Sequence, residues 1–404
     1  RSPCEFEQQT CRPMHIFFSV GEPSGDQHAA HLIRALKRRR PDLGFRGFGG
    51  PKMCAAGCRL DCELTNLAVM GIFQVLPLLW TFFKLVRRAE RLFRETRPDA
   101  VVLVDFPGFN WWIARKAKAA GIPVFYYLPP QLWAWAPWRV RRMRKFVDHI
   151  LCGLPFEPEW YAQRGLAAEY VGHPFFDEAA EYKLDESFCK EWSTSDRPIV
   201  AILPGSRNHE IDSNFPLQIR VMERVVAKFP HVQFLIACYT DRHLERCRQL
   251  LESSGTSLAV EMFVGRTPEI VEVASCCVMV SGSVSLEMLA RGKPAVVVYR
   301  IGPFTYAAFK PLVRVTSITL PNLIARQKLL PEWCVVFRPE RDARAMAAVI
   351  EEWLGNPLAL ARAARELCKL RDEIVKVGAT ARTAERILAH LAPLDSAQSF
   401  ARAA

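Results

Sequence analysis

"SVGEPSGDQHAA", residues 19–30, completes the apolar run "HIFFSVG" that begins at residue 15 and opens a helical pattern, the order of a strand feeding a phosphate-binding turn. Neither standard nucleotide fingerprint fits it. A dinucleotide loop needs three spaced glycines and a P-loop ends in Gly-Lys-Ser/Thr, whereas this stretch has Gly21, Gly25 and no lysine. Amides at a helix start favour an anion or a hydroxyl-rich ligand, while the carboxylates of Glu22 and Asp26 oppose a bare polyphosphate. The residues therefore suit a sugar-binding loop. An ordinary strand-to-helix turn with Asp26 as helix cap stands equally open.

Outward from this turn, strand and helix patterns alternate along the whole chain. Apolar, β-rich runs recur at "AVVLVDF", "PVFYYL" and "HILCGL" in the first half, and at "PIVAILPG", "VQFLIACY", "CCVMVSG" and "PAVVVYR" in the second. Near-continuous apolar strands between helical patterns signify parallel sheets covered on both faces. The expected fold is thus α/β, with two doubly wound parallel-sheet domains facing each other across a cleft and ligands at the carboxyl ends of the strands. Boundaries are expected at 14–185 and 196–345, with 1–13 as an N-terminal extension and 346–404 as C-terminal helices and tail. The polar stretch "DEAAEYKLDESFCKEWSTSDRP" reads as the connection between the domains.

The 404 residues are 50% hydrophobic and 24% charged, enough to bury a sizeable core. A net charge of +12 points to an acidic partner, whether nucleic acid, anionic membrane or a phosphorylated substrate. The 13 cysteines lack paired CxxC spacing, and Cys276 and Cys277 sit in an apolar run as small hydrophobes, so a reduced, cytoplasmic setting without disulfide frame or metal site is expected. Residues 1–13 are polar and carry no secretion-signal core, which makes Met14 the expected functional start. Leu67 to Phe83, "LAVMGIFQVLPLLWTFF", has no charge over 17 residues, and a strongly basic flank follows it. That length is marginal for a span, and Pro77 and Gln74 interrupt it. A helix pair dipping into the membrane interface is the favoured reading, ahead of plain core and a true transmembrane helix.

The candidates for chemistry fall at strand ends. "AILPGSRNHEI" supplies Gly205, Ser206 and Arg207, a turn plus a fixed cation suited to a diphosphate. "MVSGSVSLEMLARGKP" ends a strand with Gly282 and starts a helix through Ser283 and Ser285, and Glu287 one turn later could accept two hydrogen bonds from ribose hydroxyls or face solvent. In "VLVDFPGFNWW", Asp105 closes a strand, where a buried carboxylate could deprotonate a hydroxyl or cap the helix that follows.

"VGEPSGD", "FGGPKM", "LAVMG", "YYLPPQLWAW", "LPFEPEWY", "VGHPF", "LPGSRNHEI", "SGSVSLE" and "LPNLIA" occur together and in order over about residues 15 to 330. This set resembles lipid-A-disaccharide synthases, inverting glycosyltransferases of the GT-B fold with two Rossmann-like domains. The resemblance implies that the N-terminal domain holds an acyl-sugar acceptor and the C-terminal domain a UDP-sugar donor. Glu22, Ser24, Gly25, Asp26 and Asn110 would then line the acceptor side, Asp105 would be the catalytic base, and Asn322 would join Gly205, Ser206, Arg207, Gly282, Ser283, Ser285 and Glu287 on the donor side. It implies transfer of 2,3-diacylglucosamine from UDP-2,3-diacylglucosamine to 2,3-diacylglucosamine 1-phosphate, giving the β-1,6-linked disaccharide phosphate and UDP with no redox cofactor. Acylated substrates in turn imply a peripheral protein on the inner face of the cytoplasmic membrane, with Trp80, Phe82, Phe83, Lys84, Arg87 and Arg88 facing lipid. The oligomeric state stays open, a homodimer among the options.

Four positions depart from the family pattern. Gly108 stands where a second aspartate is usual, leaving Asp105 the loop's only carboxylate, and Gln74, Pro129 and Val335 replace a usual glutamate, serine and glutamine. These bear on acyl-chain or acceptor preference more than on reaction class. Two rival readings are weaker. A peptidoglycan N-acetylglucosaminyltransferase or UDP-sugar 2-epimerase would share the donor turn but not explain "YYLPPQLWAW" or "LAVMG". A nucleic-acid-binding protein could use "KRRR" at 37–40 and "RVRRMRK" at 139–145, but no RNA-binding motif accompanies them.

Overall fold

The computed structural model describes residues 14–65, 75–194, 197–313 and 315–391. The chain divides into two compact units. Unit one takes the residues up to Trp133, then Pro137–Asp177 and those from Val377 on; unit two takes Ala134–Ala136 and Glu178–Lys376.

Among the described residues, unit one is built on a seven-stranded sheet: β1 (His15–Val20), β2 (Gly44–Gly49), β3 (Arg59–Glu63), β4 (Ala100–Val104), β5 (Val124–Tyr127), β6 (His149–Cys152) and β7 (Glu169–Tyr170). Every pairing is parallel, in the spatial order β3-β2-β1-β4-β5-β6-β7. The central strands are almost wholly apolar because helices cover both faces, with Ser19 of β1 a buried polar exception, and β4, "AVVLV", is buried throughout. One layer of core gathers Ile16, Phe18, Val20, Leu32 and Leu36; the other gathers Phe17, Phe48, Phe93, Leu103 and Tyr126.

Unit two carries β8 (Ile199–Leu203), β9 (Gln233–Cys238), β10 (Val260–Val264), β11 (Cys276–Val280), β12 (Ala295–Arg300) and β13 (Glu332–Val335), again all parallel, in the order β10-β9-β8-β11-β12-β13. Cys276 and Cys277 lie fully buried in β11 as small hydrophobes, and Val335 is core in β13.

Both sheets reverse direction once. In unit one the chain builds outward through β2 and β3, then returns to the other side of β1 with β4; in unit two the same reversal lies between β8 and β11. Such switch points leave a crevice at the carboxyl ends of two adjacent strands. "GEPSGD" follows β1 and "DFPGFN" follows β4, while "PGSRNHE" follows β8 and "SGSVSLE" follows β11. The four motifs therefore occupy the two switch points.

The domain limits differ from the expected ones. The first boundary lies between Asp177 and Glu178 rather than at 185–196, because the polar stretch after it is ordered within unit two. Asp185 caps the helix Glu186–Ser193 through the amides of Ser187 (3.1 Å) and Phe188 (3.2 Å), pairs with Arg266 (2.7 Å), and Tyr182 donates to buried Glu269 (2.9 Å). The expected C-terminal region is itself divided. Helices Pro339–Gly355 and Pro357–Ile374 pack on unit two, whereas Ala379–Leu391 returns to unit one and buries Ala384 and Ile387. The carboxylate of Asp177 fixes that return by accepting from the amides of Gly378 (2.6 Å), Ala379 (3.1 Å) and Thr380 (2.8 Å), three donors a helix start leaves open.

No described helix is long and apolar enough to cross a membrane. Leu67 to Gln74 lie outside the described residues; the remainder of the uncharged stretch enters the helix Val75–Glu95.

Candidate active site

In unit one, Val20 and Val104 are register partners, so Gly21 and Asp105 leave the sheet side by side. Glu22 precedes the helix Pro23–Arg39, with Pro23 at its first position, where a missing N–H costs nothing. Gly25 lies on the first turn, packed on the ends of β1 and β4 beside Asp105: a Cβ there would come within 3.0 Å of Val20, 3.5 Å of Val104 and 3.8 Å of the carboxylate. Ser24 is exposed beside it. Asp105 and Phe106 both adopt φ of +46°, a left-handed conformation that only glycine takes freely. Asn110 (2.8 Å) and Tyr126 (2.8 Å) each donate to the backbone carbonyl of Asp105, not to its carboxylate. Desolvation, then the charges of Glu22 and Glu157, push the Asp105 carboxyl up to about 7. A carboxylate poised there is half in its basic form near neutral pH, the condition for a general base. Gly108 leaves open space around its Cα and adds no second acid to the loop.

Two of the expected acceptor ligands have other tasks. Asp26 is buried and its carboxylate accepts from the amides of Gly50, Lys52 and Met53, each at 3.0 Å, so it caps the neighbouring helix Pro51–Ala55 rather than meeting sugar hydroxyls. Asn110 is fully buried. Its amide nitrogen donates to the carbonyls of Ser19, Val104 and Asp105 and its oxygen accepts from the Ser19 hydroxyl (2.6 Å), which leaves nothing to offer a ligand.

In unit two, Leu203 pairs with Met279 at the ends of β8 and β11. Gly205 takes φ of +116° and packs against Glu210, allowing the chain to turn tightly into the helix Asn208–Lys228. The Glu210 carboxylate accepts from the amides of Ser206 (3.0 Å) and Arg207 (3.2 Å) and pairs with the Arg207 guanidinium (2.9 Å). Arg207 is thereby held at its root while its side chain stays 60% exposed. Across the switch point, Gly282 and Ser283 are exposed, the Ser285 hydroxyl donates to the Gly282 carbonyl (2.8 Å), and Glu287 is buried in an ion pair with Arg291, which also holds Glu272 (2.8 Å). Asn322 departs from expectation. It is buried and spent on the backbone of Leu329 and Leu330, at 2.7 to 2.8 Å, so it shapes a loop.

Three residues near these sites were not singled out from sequence. Glu210 is the third residue of its helix and reaches back to the amides of the turn, but with Arg207 rather than Ser or Thr at the cap the sequence shows only the glutamate half of a capping box. Glu157 is buried and accepts from the Trp133 indole (3.0 Å) and the Leu154 amide (3.0 Å); burial pushes its carboxyl up to about 7. Its motif "LPFEPEWY" stands out in the sequence, but its burial carries no local signal. Tyr126 lies in an unbroken apolar strand, and the carbonyl it bonds is 21 residues away.

The helix Val75–Glu95 presents a separate feature. Trp80 is 63% exposed and stacks on Phe83 at 5.5 Å, with Lys84 over Trp80 and Arg87 over Phe83. Together with Arg88 and Arg91 they line one shallow cavity. Arg88 also reaches Asp61 (3.3 Å). Phe82, expected to face lipid, belongs instead to the core face, packed on Phe106 and Phe109 at 6.1 and 5.5 Å. Helical spacing accounts for this, since 80, 83, 84 and 87 share one face and 82, 85, 86 and 89 the other.

A family model described as lipid-A-disaccharide synthetase matches residues 16–352, most of the chain and both switch points. This chain belongs to the lipid-A-disaccharide synthase family. The lipid-A-disaccharide synthase of Myxococcus xanthus is 36% identical over 385 residues, covering 94% of this chain and 98% of its own. That of Geobacter metallireducens is 31% identical over 374 residues, covering 92% and 96%. The chain is thus a glycosyltransferase of lipid A disaccharide synthesis. Solved structures support the GT-B fold alone: the UDP-GlcNAc 2-epimerase from Neisseria meningitidis bound to UDP-GlcNAc (TM-score 0.60, 11% identity, 93% of this chain and 99% of that one) and CalG4, the calicheamicin glycosyltransferase (0.58, 16%, 94% and 98%).

Proposed function

We propose that this lipid-A-disaccharide synthase transfers 2,3-diacylglucosamine from UDP-2,3-diacylglucosamine to 2,3-diacylglucosamine 1-phosphate, with Asp105 as the general base. The 6-hydroxyl of the acceptor attacks C1 of the donor sugar, the C1–oxygen bond to UDP breaks with inversion, and the hydroxyl proton passes to Asp105. The observation that carries this reading is the Asp105 carboxylate itself: it stands at the switch point, desolvated to about 7, while the hydrogen bonds around it end on its backbone. Glu22 and Gly25 flank it on the acceptor side. Arg207, braced by Glu210, serves the diphosphate, and Glu287 the ribose.

The family's acylated substrates also give the Trp80–Phe83 face its role. Aromatic rings beneath Lys84 and Arg87, with Arg88 and Arg91 lining the same shallow cavity, suit peripheral docking on the anionic inner face of the cytoplasmic membrane, where acyl chains need not leave the bilayer. Asp105→Asn tests the base. Removing a general base costs about 10²- to 10⁴-fold in turnover, measured as disaccharide formed by mass spectrometry, and UDP affinity should stay near that of the parent. Turnover close to the parent rejects the assignment.

A further inference from the structure

We propose that Tyr126 is a positioning residue for the base: its hydroxyl, together with Asn110, fixes the Asp105 carbonyl and so holds Asp105 and Phe106 in the left-handed conformation that sets the carboxylate in place. This inference rests on the reading of Asp105 as the base.

Two successive non-glycine residues at φ of +46° are strained and persist only where the surroundings over-determine them. The restraints here can be named. The Asp105 carbonyl spends both of its lone pairs, one on Asn110 Nδ2 and one on the Tyr126 hydroxyl, each at 2.8 Å. Asn110 is anchored in turn by the Ser19 hydroxyl (2.6 Å) and by the carbonyls of Ser19 and Val104 (3.2 Å each), which ties β1 to the end of β4. Tyr126 reaches from the other neighbour of β4. It pairs in register with Leu103 and its ring packs on Trp111 at 5.7 Å.

For packing alone, phenylalanine would serve as well as tyrosine in this fully buried strand position, since ring, strand and core contacts are those of any aromatic. The hydroxyl is therefore the informative atom. Burial raises its pKa well above the usual phenol range, so it remains a donor at every working pH. Without it the carbonyl keeps one restraint of two, and the backbone is freer to relax toward an ordinary conformation that moves the carboxylate toward water.

The test is Tyr126→Phe beside Asp105→Asn, assayed on substrates in detergent as full pH–rate profiles. Tyr126→Phe should lower kcat about 10- to 100-fold, the scale expected of a small misplacement of a reacting group, with KM for both substrates and UDP affinity nearly unchanged. The acid limb of kcat should also move to lower pH, because a carboxylate nearer water ionises more easily; a merely structural hydroxyl would lower Tm without moving that limb. If Tyr126→Phe is not recovered folded, Ser19→Ala, which loosens Asn110, is judged on the same two readouts. An inactive Asp105→Asn beside a Tyr126→Phe with parental kcat and limb overturns the positioning role and leaves the base in place. Parental turnover in Asp105→Asn instead removes the base, and the positioning role with it.

Discussion

Phe106 lays its ring so close to Gly21 that a Cβ on Gly21 would come within 2.2 Å of the ring's Cγ. Two loops from different parts of the chain are thus interlocked at the switch point, and the absence of a side chain in one sets the position of the other. Gly21→Ala must push Phe106 aside, and Asp105 moves with it. Overpacking of this kind costs about 1 to 3 kcal/mol, so Tm should fall by about 2 to 8 °C. Turnover should fall further than stability explains; a fully active Gly21→Ala enzyme would show that the loop adapts without disturbing the base.

The desolvated Asp105 carboxyl makes stability depend on pH. Below pH 3.8 folded and unfolded chains both hold its proton, and between 3.8 and about 7 the unfolded chain has released it while the folded chain has not, so this group weakens the fold as pH rises through that window and the loss saturates above it. Asp105→Asn removes the effect. Its Tm should exceed that of the parent by about 2 to 6 °C at pH 8 and by less than half as much at pH 5. Calorimetry at the two pH values decides it, and equal differences would mean the carboxyl is not desolvated in the folded protein.

On the donor side, Arg207→Ala should weaken UDP binding by about 1.5 to 3 kcal/mol, roughly 10- to 150-fold, while uridine loses much less, because the proposed partner is the diphosphate. Glu287→Ala should weaken both ligands alike through the shared ribose. Titration calorimetry with UDP and uridine separates the two, and equal losses in Arg207→Ala would take that residue out of the phosphate site.

The membrane face predicts a contrast between neighbours on one helix. Replacing Trp80 and Phe83 with serine should leave Tm near the parent and abolish pelleting with anionic vesicles, whereas Phe82→Ser should lower Tm by opening the core against Phe106 and Phe109. High salt should weaken parental binding to vesicles without ending it, since screening removes only the part owed to Lys84, Arg87, Arg88 and Arg91. Vesicle binding that survives the double replacement would move the docking surface elsewhere.

The strands were legible because burial on both faces leaves nearly unbroken apolar runs, and the loops that end them hold the proposed base and diphosphate ligand: Asp105, Gly21, Arg207 and Gly205 all lie at strand ends, where the sequence places them. Side-chain direction was not legible. Asp26 lies one turn from Glu22 and looks equally available in sequence, yet it is drawn to the open amides of a helix that begins 25 residues later. Asn110 and Asn322 show the same limit, since an amide side chain is equally suited to a ligand and to stranded backbone groups, and only the path of the chain decides. The polar stretch after Asp177 misled for a related reason, since Asp185 is paired with Arg266 and the Tyr182 hydroxyl donates to Glu269, partners some 80 residues downstream.

The return of Ala379–Leu391 to unit one makes unit two, in the order of synthesis, an insertion within its partner. A ribosome emits residues 178–376 before Gly378, Ala379 and Thr380 reach the waiting carboxylate of Asp177, some 200 positions behind them. Until then unit one exposes the apolar surface that Ala384 and Ile387 later cover. The second unit, almost wholly continuous in sequence, can reach its native state while the first is still incomplete, reversing the usual rule that the segment born first folds first.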